Sequence, residues 1–194
     1  MAQTFNLIPN DIEEIFFKML NDDIGILVFE QWLYENKQLE HVLNDEDYLE
    51  LISFGYKQKA AKYELRKLLQ RVINGPKYEK WRLLEMLAAV LKKDKKMPLI
   101  LMDFYDLYCH GYTFLYKLGM EYGLNVIVPS MGSAYTWEEL PLKDQEKLLQ
   151  SFFPEIENEV VKVIDLLNHG QVVPMGKIDE LYYTFVDNRN ENEK

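Results

Sequence analysis

The sequence predicts a mainly α fold, a multi-helix bundle with a small C-terminal β-hairpin or short sheet, α+β only at its margin. Two observations carry that reading. Apolar residues recur at helical spacing between capping and stop signals along most of the chain. Runs rich in β-formers are confined to Val126–Val128 and to the stretch beyond Gly170.

Taken in order, Asn10 or Asp11 can cap a first helix whose Ile12, Ile15, Phe16 and Met19 form one stripe. Asn21, Asp22 and Asp23 stop it. A second helix is expected from Ile24 to Asn36, with Leu27, Val28, Trp32 and Leu33 turned inward. Gln38 to Leu43 reads as a helical turn. Asn44 to Asp47 then favour the start of a helix that buries Tyr48, Leu51 and Ile52 and ends at Gly55.

Two longer helices follow, from Lys59 to Ile73 and from Lys77 to Asp94, joined by the Asn74-Gly75-Pro76 turn and expected to pack as an antiparallel hairpin. Ala61, Leu65, Leu68 and Val72 form the inner stripe of the first, and Trp81, Leu84, Leu87, Ala88 and Leu91 that of the second. The tyrosine-rich run from Leu99 divides at Gly111 into two helices, the second ending at Gly123. Asn125 to Val128 reads as a short strand closed by Pro129. Helices resume over Leu142–Phe152 and Glu155–Asn168. Gln171–Val173 and Leu181–Val186 suggest a hairpin with Pro174 to Asp179 between its arms.

With 194 residues, 48% of them hydrophobic, the chain can bury a core without covalent staples, and one domain over 1–187 with a frayed 188–194 tail is expected. Cys109 is the only cysteine, so no internal disulfide is possible; this favours a reducing cytoplasm, with the thiol packed on a helix. The first fifteen residues hold no basic side chain and do not read as a secretory signal. The longest apolar runs, Ile26–Phe29 and Met97–Met102, are too short to cross a bilayer. A cytoplasmic protein away from membranes is the expectation.

Charge is sorted along the chain. Met1–Tyr56 carries 12 acidic and 2 basic residues, Lys57–Lys96 carries 4 and 13, and Met97–Lys194 carries 16 and 7. The net charge of −10 disfavours nonspecific attraction to nucleic acid or anionic lipid. A basic surface built from Lys59, Lys62, Arg66, Lys92, Lys93, Lys95 and Lys96 could still meet phosphates locally, but pairing with the flanking acids is the simpler arrangement. Nucleic acid is therefore a minor expectation.

Catalytic patterns are sparse. Asp103, Asp106 and His110 fall at i, i+3 and i+7, one face of a helix, and their donors suit a divalent metal. The plainer reading is an exposed stripe on a helix that buries Leu99, Met102 and Leu107. His41 and His169 stand in unrelated contexts. Ser133 lacks the glycines of a nucleophile elbow, and Cys109 and His110 project about 100° apart on a helix. No phosphate-binding glycine motif is present. No catalytic, cofactor-binding or metal residue is assigned, and no cofactor is expected.

The opening third mixes aromatic anchors with carboxylates, a combination suited to capture of a basic protein. Glu30, Tyr34, Glu35, Glu40, Asp45, Glu46 and Asp47 are the candidate partner-binding residues. Trp32, beside them, is expected in the core.

Phe29-Glu-Gln-Trp-Leu-Tyr-Glu-Asn, Tyr48-Leu-Glu-Leu-Ile-Ser and Tyr63-Glu-Leu-Arg-Lys-Leu-Leu resemble segments of a group of small acidic bacterial proteins. Phe104-Tyr-Asp-Leu-Tyr, Leu118-Gly-Met-Glu-Tyr-Gly-Leu, Trp137-Glu-Glu-Leu and Asp187-Asn-Arg are similar to the same group. Some of its members look like immunity proteins of polymorphic toxin systems. The resemblance implies a cytoplasmic inhibitor that occludes a toxin's active site, and it carries over no individual functional residue; with the acidic opening and the lack of a catalytic set, the expectation is a non-enzymatic protein that neutralises a basic toxin.

Overall fold

Ten α-helices and a two-stranded antiparallel hairpin are found among the described residues, which are 8–129, 136–177 and 181–190 of a computed structural model. The chain divides into two compact units, Met1–Tyr78 and Glu79–Lys194. The basic block 57–96 is thus divided between them.

The first unit holds α1 (Asn10–Leu20), α2 (Ile26–Glu35), α3 (Leu39–Val42), α4 (Asp45–Ile52), α5 (Ala61–Val72) and the first turn of α6 (Gly75–Leu91). α1 buries Ile12, Phe16 and Met19 as its periodicity requires, and Phe16 meets Phe29 and Trp32 with ring centroids 5.9 Å apart in each case. Its N-terminus differs from the expectation. Pro9 occupies the cap position, and no side chain closes it. α4 does start as its polar run demands: the Asn44 side chain accepts the Asp47 amide at 2.8 Å. It ends at Ile52, before Gly55. α5 buries all four residues of its stripe, Ala61, Leu65, Leu68 and Val72. Asn74 accepts the Lys77 amide at 3.0 Å, so Gly75 and Pro76 open α6 and do not form a separate turn.

The second unit is built on the remainder of α6 and on α7 (Met97–Cys109), α8 (Leu124–Ile127), α9 (Leu142–Ser151) and α10 (Glu155–Asn168), with β1 (Val172–Lys177) paired to β2 (Tyr183–Asp187). Leu83, Leu87 and Val90 are the buried side of α6; Trp81, Leu84, Ala88 and Leu91 are only half-buried. α7 contributes Leu101, Phe104 and Leu107 to the core, while Leu99 is 59% exposed, against expectation.

The segment after α7 departs most from the sequence reading. A 3-10 turn at Thr113–Leu115 leads into a π-helical stretch over Leu118–Gly123, which runs on into α8. Gly123 therefore does not stop the helix, and Val126–Val128 is not a strand. Gly119 and Gly123 let this stretch lie against α7: a Cβ on Gly123 would stand 2.3 Å from the Leu101 carbonyl oxygen. Val126, with no exposed surface, is buried in that packing. Close helix contact decides the conformation over the β preference of Val-Ile-Val.

The hairpin is longer than expected on its first arm, where Pro174, Met175, Gly176 and Lys177 belong to β1, with a bulge between Pro174 and Gly176. Val172 pairs with Asp187. Asn188, placed in a frayed tail by the sequence reading, donates its amide to Gln171 at 2.7 Å, and residues 191–194 lie outside the described residues.

No described helix is long and apolar enough to cross a membrane.

Candidate functional site

Two surfaces gather the candidate residues, one in each unit. In the first, α2 turns Phe29 and Leu33 inward. At 100° per residue this fixes Leu27, Val28, Gln31, Tyr34 and Glu35 on one outward arc of about 120°. The accessibilities agree: Leu27 is 55%, Val28 60% and Tyr34 54% exposed. Leu27 and Val28 were expected inside, and the position of Phe29 puts them outside. Trp32 is half-buried against Phe16 and Phe29.

Around this apolar arc, Glu35 is exposed and accepts a hydrogen bond from Gln31 at 3.0 Å, and Glu30 is half-buried. Tyr34 donates to the Ile52 carbonyl at the end of α4, 3.0 Å away. Glu40 on α3 and Asp45 and Glu46 at the start of α4 are exposed. None of these five carboxylates forms an ion pair among the described residues. Asp47 is different: it is half-buried and bound by Arg71 at 3.0 Å, so it is a structural residue and not an open contact.

The basic block neutralises part of the acidic opening. Asp22 receives Lys62 at 2.9 Å and Arg66 at 2.8 Å; partial burial pushes its pKa up, but the two cations outweigh that and hold it below the usual aspartate value. Arg71 binds Glu50 as well as Asp47, and Lys77 reaches the buried Glu13. Charge is therefore paired at Glu13, Asp22, Asp47 and Glu50, while Glu30, Glu35, Glu40, Asp45 and Glu46 form no ion pair among the described residues. The same pairs commit Lys62 and Arg66 to Asp22. Lys93 stands 4.0 Å over the Phe153 ring.

In the second unit Asp103, Asp106 and His110 do share a face, and with Leu107 they form one bank of a cleft of about 290 Å³. Lys177, Leu181 and Tyr183 form the hairpin bank, and Arg82 also lines the cleft. These partners are remote in sequence and carried no signal of their own. Below them lies a buried polar network. Arg82 binds Glu79 at 2.9 Å, the Tyr112 hydroxyl donates to the same Glu79 oxygen at 3.3 Å, and the Gly176 amide donates to that hydroxyl at 3.2 Å. Burial and the Glu79 charge raise the pKa of Tyr112 far above its ordinary value, so it stays a phenol. Gly111, at φ +120°, lets the Tyr183 amide reach the His110 carbonyl at 2.7 Å and seats the hairpin against the end of α7.

Desolvation in the cleft raises the pKa of Asp103, with the Arg82 charge pulling it down and the Asp106 carboxylate pushing it further up. His110 places Nδ1 2.6 Å from the Asp106 carbonyl, and His169 treats Asp165 in the same way at 2.9 Å. Both histidines cap helix C-termini. Among the described residues no group of three or more His, Cys, Asp or Glu side chains is placed to hold a metal ion. Cys109 is exposed, not packed. The segment around Ser133 lies outside the described residues. Compared with known proteins, the chain matches no family model, no curated protein and no solved structure.

Proposed function

We propose that the chain is a non-enzymatic protein-binding protein of the immunity type, which captures a basic partner on the outward side of α2, α3 and the first turn of α4. The observation that carries this reading is the α2 arc. Three large apolar side chains stand more than half exposed on a helix whose opposite side is fully used in the core. Soluble chains seldom leave such a stripe uncovered without a use for it.

The carboxylates of Glu30, Glu35, Glu40, Asp45 and Glu46 supply the complementary half. Surface charge of one sign, outside any ion pair among the described residues, speeds encounter with a basic surface, and the apolar arc contributes affinity once water is expelled. A basic toxin of a cytoplasmic target is the partner class that the sequence resemblance adds to this chemistry.

The test is to co-express the chain with the product of the adjacent gene in its source genome and titrate the two purified proteins. The expected result is a stoichiometric complex and rescue of growth when that product is toxic. A neighbour that neither binds nor harms the cell contradicts the proposal.

A further inference from the structure

We infer that the outward face of α2 in one copy of the chain docks on the lysine-rich corner between α6 and α7 of a second copy. The protein then covers its own capture surface when no other partner is present. The inference rests on the reading of that face as a docking surface, and it adds a regulation of the same face.

The corner is built by the way α6 ends. The Lys93 amide donates to the Val90 carbonyl and the Asp94 amide to the Ala89 carbonyl, each at 3.0 Å, with Lys93 left-handed at φ +54°. Asp94 accepts the Lys96 amide on its side chain at 2.8 Å and the Met97 amide on its carbonyl at 2.9 Å, which opens α7 at once. An ordered turn thus carries Lys92, Lys93, Lys95 and Lys96. Lys93 is taken up by Glu157 at 3.9 Å and by the Phe153 ring. Lys92, Lys95 and Lys96 are exposed and form no ion pair among the described residues. Leu99 follows Lys96 by three residues and Lys95 by four, the spacing of side-chain neighbours on a helix. Met97, Ile100 and Leu101 take the core side of that turn, and Leu99 is left 59% exposed.

The α2 face is the counterpart in both respects. Leu27, Val28 and Tyr34 offer apolar area to Leu99, and Glu30, Glu35, Glu40, Asp45 and Glu46 offer the lysines opposite charge. On a chain of net charge −10, most pairings of one copy's surface with another's bring like charges together; this one brings opposite charges. The two faces differ, so the contact is heterologous. It closes where two copies exchange it reciprocally and otherwise runs on from copy to copy. A few exposed ion pairs around one apolar contact make the association weak and salt-sensitive. A basic partner with more cations and more apolar area displaces it.

The experiment is sedimentation equilibrium of the purified full chain over a range of concentrations at low and at high salt, with no other protein present. The expected mean mass rises with concentration at low salt, and the association weakens at least about tenfold at high salt. Lys95→Glu/Lys96→Glu and Glu35→Lys/Glu46→Lys, all at exposed positions, should each stay monomeric alone. Mixed together they should associate, because each offers the charge the other needs. If circular dichroism shows either reversed variant unfolded, Leu99→Ser takes its place and should weaken association about tenfold. A mass fixed at the monomer's, association indifferent to salt, no restoration on mixing, or a monomer that instead binds duplex DNA through Lys95 and Lys96 overturns the inference. Binding of the adjacent-gene product by a chain that stays monomeric removes this inference and leaves the capture reading standing; self-association without any complex with that product does the reverse.

Discussion

The Tyr34 hydroxyl donates to the backbone carbonyl of Ile52 at 3.0 Å, joining the exposed arc of α2 to the C-terminus of α4, eighteen residues further on. The ring is thereby held in place while more than half of it remains open to solvent. A side chain fixed in this way loses little freedom when a partner covers it, which favours affinity. Tyr34→Phe should cost about 0.5–1.5 kcal/mol in chemical denaturation, the net value of one hydrogen bond, with the helical circular dichroism unchanged.

Asp22→Asn reports on charge pairing inside the first unit. Lys62 and Arg66 hold the Asp22 pKa below its ordinary value in the folded state, so the pair contributes stability above the unfolded pKa and loses it as pH falls through the folded one. The variant should be less stable than the parent at neutral pH by roughly 0.2–1 kcal/mol per exposed pair. The deficit should disappear in strongly acidic buffer, which urea titrations at several pH values will show.

Asp103→Asn should behave in the opposite sense. Its folded pKa is raised, so the folded state holds the proton more tightly, and ionisation costs stability as pH rises through the usual aspartate range toward the folded value. The variant should melt higher than the parent at neutral pH and match it in acid. A lower melting temperature at neutral pH would contradict the cleft electrostatics.

Tyr112→Phe tests the network beneath the cleft. The substitution leaves the Gly176 amide without its acceptor and Glu79 without one donor, at a cost of about 1–3 kcal/mol for a buried group left unmade. Gly111→Ala should cost more. A Cβ there would lie 2.3 Å from the Tyr183 carbonyl oxygen on a backbone at φ +120°. Hydrogen exchange should show β2 amides opening first in both variants.

The helical elements were legible wherever one periodic stripe faced one core. α5 and α10 show this best: the stripe of α5 is buried in full, and the bounds of α10 agree residue for residue. α2 misled because six of its first eight residues are apolar; the burial of Phe29 and Leu33 reveals which side faces in. Val126–Val128 read as a strand because β propensity is local, whereas the helix there is imposed by Gly119 and Gly123 closing on α7. The helical spacing of Asp103, Asp106 and His110 did mark one bank of the cleft. Its other bank is supplied by a hairpin some seventy residues later, and no periodicity reports such a pairing. Exposed acids could be named from sequence, but the capture of Asp47 by Arg71 depends on how α4 meets α5.

The most direct measurement titrates the purified adjacent-gene product into the full chain and into the variant Glu30→Lys/Tyr34→Ala/Glu35→Lys, at low and at physiological salt. The proposed capture surface predicts a one-to-one complex that weakens with salt and loses at least about a hundredfold in affinity, or some 2.7 kcal/mol, in the variant. Equal affinity of variant and parent would show that the α2 face is not where the partner binds.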